Sequence, residues 1–174
     1  MSPGRREFFL LGGVAAAAAV AGALAGAFAL QSRSGAVDLL STRLSDLEGR
    51  ARRLSEWQGR TLLCNFWATW CAPCREELPL LDATYRQNAR FGLQVVGIAV
   101  DNAVNVQGFL RSTRVTYPIL VAGASAADLL RQLGNAGAGL PFSVGVDAAG
   151  RIRHRKLGAY SAGELKQEVA ALLR

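Results

Sequence analysis

Two apolar runs govern what this chain can fold into. "TLLCNFWA" (61–68) and "LQVVGIAVD" (93–101) each have the length and composition of a buried β-strand. Between them, from Ala72 to about Arg90, Leu78, Leu81, Ala83 and Tyr85 alternate with Arg, Glu, Gln and Asp in a broadly helical pattern. Pro73 suits the first turn of that helix, where a missing N–H costs nothing, whereas Pro79 falls inside it and predicts a kink.

The remaining segments extend this pattern. "LSDLEGRARRLSEWQGR" reads as a small hairpin leading into the first run. After the second run, "NVQGFLRSTRV" is helical in pattern and "TYPILVA" is a short extended piece. "SAADLLRQLG" is a helix with Ser125 as its cap and Gly134 as its stop. "PFSVGVDAAGRIRHRKLG" gives two strands around an Asp-Ala-Ala-Gly turn, and "SAGELKQEVAALLR" a final amphipathic helix opened by a Ser161/Glu164 capping box. The order is that of an α/β chain. With 174 residues, half of them apolar, the expectation is one domain over 42–174, preceded by a leader (1–30) and a short polar tether (31–41).

No charge interrupts the stretch from Phe8 to Ser32. As a helix, Phe8–Leu30 would be about 35 Å long, enough to cross a hydrocarbon core of roughly 30 Å. Arg5 and Arg6 stand before it and only Arg33 lies close behind, so the positive-inside bias sends the rest of the chain out of the cytoplasm. The same stretch reads equally as an uncleaved anchor or as a cleavable signal, since "AFA" (27–29) offers a small-x-small site. "RREFFLL" resembles a twin-arginine export signal that lacks the usual flanking residues.

Composition removes several classes of function. Cys64, Cys71 and Cys74 are too few for a disulfide scaffold, and with His154 the only histidine there is no array for a structural zinc site. The formal net charge of +7 concentrates in "GRARR" (49–53) and "RIRHRK" (151–156). Each run could be read as a nucleic-acid or anionic-membrane patch, but runs this short beside turn residues read first as solvated hairpin faces, with a weak preference for anionic lipid near the anchoring membrane left open. No nucleic-acid partner, metal or cofactor is expected, and the chain is expected to be a monomer.

The cysteine pair in "WATWCAPCREELP" (67–79) is different. A disulfide between residues three apart closes a tiny ring and restrains little unfolded-chain entropy, so it is a poor staple. At a helix N-terminus the first thiol faces unpaired N–H groups and the positive end of the helix dipole, which lower a thiol pKa from its free value of about 8.5. Cys71 is therefore the candidate nucleophile. Cys74, one turn deeper, is placed to attack a mixed disulfide formed at Cys71.

"NFWATWCAPCREELP" resembles the active-site stretch of the thioredoxin superfamily, and its Trp-Cys-x-x-Cys-x-x-Glu-x-Pro form is similar to the extracytoplasmic TlpA-like thiol-disulfide reductases. The likeness extends over most of residues 44–174. It implies a thioredoxin-like fold: a central mixed sheet flanked by helices, with an N-terminal hairpin and a helical insertion. It also implies that Pro141, in "GLPF", is the cis proline that faces the cysteines and helps bind substrate backbone.

Glu77, three residues beyond Cys74, shares a helix face with it, and the family pattern favours a role in tuning or relaying protons over a solvated glutamate. Asn65 falls where thioredoxin has a buried aspartate; an amide cannot accept the proton that carboxylate takes. Cys64, one residue earlier on the strand, points to the other face as a small buried hydrophobe. Trp67 and Trp70 are expected to pack around the site.

The reading is an extracytoplasmic thiol-disulfide oxidoreductase, a reductase of disulfide-containing client proteins that is renewed by a membrane thiol electron donor. The alternative from another class is a Cu(I)-binding module using the same two thiolates.

Overall fold

A computed structural model describes residues 39–174, together with Gly22, Ala23 and Gly26. Apart from those three positions, the expected leader and the tether up to residue 38 lie outside the described residues. Among the described residues no helix is long and apolar enough to cross a membrane.

The strands are β1 (Arg43–Ser45), β2 (Ala51–Arg53), β3 (Thr61–Trp67), β4 (Leu93–Ala99), β5 (Ile119–Val121), β6 (Phe142–Val146) and β7 (Ile152–Leu157). The helices are α1 (Ala72–Asn88), α2 (Ala103–Leu110), α3 (Ala126–Gln132) and α4 (Ala162–Leu172). The strands form one sheet in the order β2-β1-β5-β4-β3-β6-β7. β3, β4 and β5 run parallel, and the other pairings are antiparallel. This is the thioredoxin-like mixed sheet flanked by helices.

Both apolar runs become central strands, buried at every position. Their alternation divides the core. Leu62, Cys64 and Phe66 enter one cluster with Val96, Ile98, Phe142 and Leu54, while Leu63 and Trp67 enter the other with Cys71, Cys74, Leu78, Leu81 and Leu165. Leu39 is fully buried, so the folded unit already includes the end of the stretch expected to be a tether.

β4 approaches its cover closely at Gly97. A Cβ there would stand 2.5 Å from Ile119 Cδ1 and 3.2 Å from both Trp67 Nε1 and Tyr117 Cε2. Only glycine lets Trp67 lie under the site with its neighbours in place.

Several local expectations are met. Ser161 Oγ accepts from Glu164 N–H and the Glu164 carboxylate accepts from Ser161 N–H, a complete capping box. The two basic stretches lie on hairpin strands and are partly paired there: Arg52 pairs with Glu56 at 2.7 Å, Arg151 with Asp147 at 2.9 Å and Lys156 with Glu164 at 2.9 Å.

α1 runs through Pro79 to Asn88 as one continuous helix. One expectation differs from the structure. Ser125 does not cap α3: its hydroxyl donates to Ala122 O at 2.8 Å, because a 3-10 turn over Gly123–Ser125 leads into the helix and leaves Ser125 in a helical conformation instead of the extended one a cap needs.

Candidate active site

β3 delivers the chain to the cysteines through a short, well-fastened loop. Val100 N–H bonds to Trp67 O at 2.7 Å and Cys71 N–H to Ala68 O at 3.2 Å. Between them, Asp101 Oδ2 accepts both the Thr69 N–H (3.1 Å) and the Thr69 hydroxyl (2.5 Å). Burial alone would raise the Asp101 pKa, but the bonds from Thr69, Asn105 and Asn102 outweigh it and hold the carboxyl below its usual range.

Cys71 is the N-cap of α1 in an extended conformation, and Pro73 occupies the first turn as expected. Cys71 and Cys74 are joined as a disulfide. Cys71 Sγ accepts the Cys74 N–H at 3.3 Å, so one of the unpaired donors of the helix mouth is aimed at that sulfur. Cys71 retains 6 % exposure and Cys74 none.

The two tryptophans separate. Trp67 is fully buried and packs against Phe109 with ring centroids 5.6 Å apart and the planes tilted by 53°. Trp70, expected to pack around the site, is 68 % exposed and stands out beside Cys71. A side chain between a strand end and a helix cap has no covering element, which the sequence does not reveal.

Beneath the disulfide lies a buried polar cluster. Glu77, one turn below Cys74 on α1, is 3 % exposed and therefore not a solvated helix residue. Its Oε1 accepts the Tyr160 N–H at 2.9 Å and its Oε2 accepts from Asn65 Nδ2 at 3.3 Å. Asn65 Nδ2 also donates to Ser143 Oγ at 3.0 Å, Ser143 being its register partner on β6. Asn65 Oδ1 is buried without a partner. Burial raises the Glu77 pKa above its ordinary value, against the lowering effects of the Tyr160 and Asn65 bonds and of Lys156.

Pro141 is buried at the start of β6, on the end of the sheet where β3 meets the cysteines, and the Leu140–Pro141 bond is cis. Cys64 is wholly buried on the opposite face, and burial pushes its thiol up to about 12. His154 lies on β7 with Nδ1 3.1 Å from Glu168 Oε2. Among the described residues no group of three or more His, Cys, Asp or Glu side chains is placed to hold a metal ion.

Sequence reasoning did not find Asp101, Ser143 or Tyr160. The first sits at the end of an apolar run and looked like strand. The other two touch the site only through tertiary contacts, and Tyr160 does so through its backbone.

A thioredoxin-like sheet whose strand end and helix cap present a Cys-x-x-Cys disulfide defines a protein of thiol-disulfide exchange. The chain belongs to the Redoxin family, which matches residues 27–173. It is 32 % identical over 132 residues to the thiol-disulfide oxidoreductase ResA of Geobacillus thermodenitrificans, covering 74 % of this chain and 72 % of that protein. Among solved structures it is similar to a thioredoxin-related protein from Neisseria meningitidis serogroup B, with 30 % identity, a TM-score of 0.68, and coverage of 74 % of this chain and 97 % of that one. It is also similar to a putative thiol:disulfide interchange protein DsbE from Chlorobium tepidum, with 25 % identity, a TM-score of 0.68 and coverage of 76 % and 93 %. The protein is a thiol-disulfide oxidoreductase acting on disulfide-containing clients.

Proposed function

We propose that the protein works as an extracytoplasmic reductase in which Cys71 is the nucleophile and Cys74 the resolving thiol. The observation that carries the assignment is the helix-cap geometry: the Cys74 N–H points at Cys71 Sγ from 3.3 Å, and Cys71 alone of the pair keeps any exposure. The same N–H and the helix dipole would stabilise a thiolate at Cys71.

In the forward cycle the Cys71 thiolate attacks one sulfur of a client disulfide, forming a mixed disulfide and releasing one client thiolate, which takes up a proton. Cys74, deprotonated, then attacks Cys71 Sγ; the second client thiolate leaves and Cys71–Cys74 closes as the disulfide. Two electrons have passed from the pair to the client, and a membrane thiol donor restores the dithiol by the reverse exchange. Glu77 lies in the buried cluster beneath Cys74 and serves as the group that takes and returns the Cys74 proton, burial raising its pKa above the ordinary carboxyl value. Cis Pro141 and exposed Trp70 flank the approach to Cys71 and hold client backbone and side chain against it.

The charge-free Phe8–Leu30 stretch supports a domain on the outer side of the inner membrane, either anchored through residues 1–30 and a tether or released after cleavage. The folded unit works as a monomer.

Reduction of insulin and of mixed-peptide disulfides by wild type and by Cys71→Ser tests this reading. Wild type should turn over with a dithiol donor and Cys71→Ser should not; equal rates would remove Cys71 from the role. Cys74→Ser should accumulate a client covalently attached at Cys71, and mass spectrometry of that adduct identifies the client class.

A further inference from the structure

The end of the molecule opposite the cysteine pair carries exposed basic and aromatic side chains that thiol exchange does not use. β3 starts there at Thr61, opposite Leu93 of β4, and Thr61 N–H bonds to Gly92 O at 3.2 Å. α1 ends there, followed by a 3-10 turn over Ala89–Phe91. β6 ends there as well, with Val146 opposite Leu62, so the Asp147–Gly150 turn and Arg151 belong to the same pole.

At this pole Phe91 is 61 % exposed, and the Arg90 guanidinium lies 4.6 Å from its ring centroid. Arg60 donates to Ala89 O and Leu93 O at 3.1 and 3.0 Å, carbonyls that leave its charge uncompensated by those bonds. Arg151 and Arg153 both reach the single carboxylate of Asp147, at 2.9 and 4.0 Å, which leaves positive charge in surplus. An exposed aromatic ring beside one arginine, with further arginines at the same pole, suits a lipid headgroup layer, the ring seated at the apolar boundary and the guanidinium groups on phosphate.

Chain connectivity points the same way. The continuously described chain, from Leu39, begins beside this pole: a Cβ on Gly150 would meet Leu40 Cδ1 at 3.5 Å. Only residues 31–38 separate Leu39 from the charge-free Phe8–Leu30 stretch, at most about 27 Å when fully extended. A bilayer crossed by that stretch therefore lies within reach of this pole.

We propose that the pole formed by Arg90, Phe91, Arg151 and Arg153 docks on an anionic phospholipid surface and turns the cysteine pair away from the membrane. The orientation rests on the anchoring proposed above for residues 8–30. Docking leaves Trp70 and Cys71 on the outward side, open to clients, while the domain is held at a fixed height by contacts a tether alone does not supply. Each arginine near an anionic surface strengthens binding on the order of fivefold, and salt weakens it.

The full chain is reconstituted in phosphatidylglycerol or phosphatidylcholine vesicles, with the photo-crosslinker p-benzoylphenylalanine in place of Phe91 or, separately, of Trp70. The proposal expects lipid adducts from position 91 in phosphatidylglycerol, reduced roughly fivefold or more in phosphatidylcholine, and likewise by the pair Arg90→Ser and Arg153→Ser, with few from position 70. The two serine substitutions should leave insulin reduction unchanged, which shows the fold intact. Equal adducts in the two lipids, or more from position 70 than from 91, overturn it. Carbonate extraction of the same vesicles reads the anchor separately. A chain that washes out but still gives salt-sensitive adducts at 91 keeps the docking face and loses the anchor; one that resists extraction without adducts at 91 keeps the anchor and loses the docking face.

Discussion

The side-chain amide of Asn65 donates to the Glu77 carboxylate at 3.3 Å, deep between β3 and α1, while its own Oδ1 has no partner. The bond favours the ionised carboxylate, and burial disfavours it more, so the Glu77 pKa is raised. A raised folded-state pKa makes the contribution to stability complete below the unfolded value of about 4.5 and lost as pH rises through the folded value. Glu77→Gln removes the ionisation. A half-turn of the Asn65 amide then lets Oδ1 accept from the new Gln side chain and from Ser143, so the fold is retained. The variant should gain stability relative to wild type as pH rises, in thermal unfolding followed against pH. It should also lose the corresponding limb of the pH–rate profile for insulin reduction, with a rate loss of about 10²-fold. A rate profile identical to that of wild type would leave Glu77 a purely structural residue.

Asp101 positions the loop before Cys71 by taking both donors of Thr69. Thr69→Val removes the hydroxyl bond and leaves the carboxylate partly unpaired, at a cost of about 1–2 kcal/mol in chemical denaturation. Thr69→Ser retains the hydroxyl and should restore most of that stability. Because Thr69 is two residues from Cys71, Thr69→Val should also raise the Cys71 thiol pKa, read by the ultraviolet absorbance of thiolate, whereas Thr69→Ser should not. An unchanged pKa in Thr69→Val would confine Asp101 to loop stability.

What could be read from sequence here was local. The apolar runs at 61–68 and 93–101 reach strand length with too few polar residues (Thr61, Asn65, Gln94 and the terminal Asp101) to make a solvent face, and both became central strands. Ser161 and Glu164 carry their whole capping interaction within one turn, so spacing sufficed. Contacts that depend on how distant segments meet were invisible: Ser143 reaches Asn65 across 78 positions, and Tyr160 reaches Glu77 with a backbone N–H that any residue other than proline offers. Ser125 misled because Ser-x-x-x before an apolar stretch does not reveal that a 3-10 turn already supplies the start of the helix. Trp70 misled because exposure of an aromatic beside a nucleophile depends on whether a neighbouring element covers it.

Cys64 and Asn65 are adjacent on β3 yet face different clusters, and the isolation of Cys64 is chemical as well as spatial. With its thiol pushed up from 9.0 to about 12, its thiolate population at neutral pH is on the order of a thousandfold lower than that of an ordinary free thiol. Alkylation of the reduced native protein at pH 8 should therefore modify Cys71 first and spare Cys64 until denaturant is added. Peptide mapping checks this, and early labelling of Cys64 would contradict the burial on that face.

Gly97 is held to glycine by what a Cβ would meet: Ile119 Cδ1 at 2.5 Å, with Trp67 and Tyr117 at 3.2 Å. Gly97→Ala should destabilise the fold by about 1–3 kcal/mol through overpacking. Since Ile119 Cδ1 is the worst contact, Gly97→Ala combined with Ile119→Val should recover part of that loss despite the methyl removed. Urea denaturation of the two variants separates crowding from backbone effects: without recovery, the cost of Gly97→Ala lies in the strand backbone or against the rings.

Glu164 links the start of α4 to β7, accepting from Ser161 N–H and Oγ at 2.8 Å each and from Lys156 Nζ at 2.9 Å. The bond from the Ser161 backbone, with those from Lys156 and the Ser161 hydroxyl, lowers its pKa from 4.5 to about 2. A depressed folded pKa contributes stability that is present above the unfolded value and is lost as pH falls through the folded one. The window here runs from about 4.5 down to about 2. Glu164→Gln keeps an acceptor for Ser161 but cannot ionise, so its Tm should lie below that of wild type at neutral pH and the two should converge as pH is lowered through that window. The gap at neutral pH should also narrow in high salt, because the carboxylate is at the surface and its attraction to Lys156 is screened. A gap in Tm that is constant from neutral pH to pH 2 would mean that the capping geometry, not the carboxylate charge, carries the stabilisation.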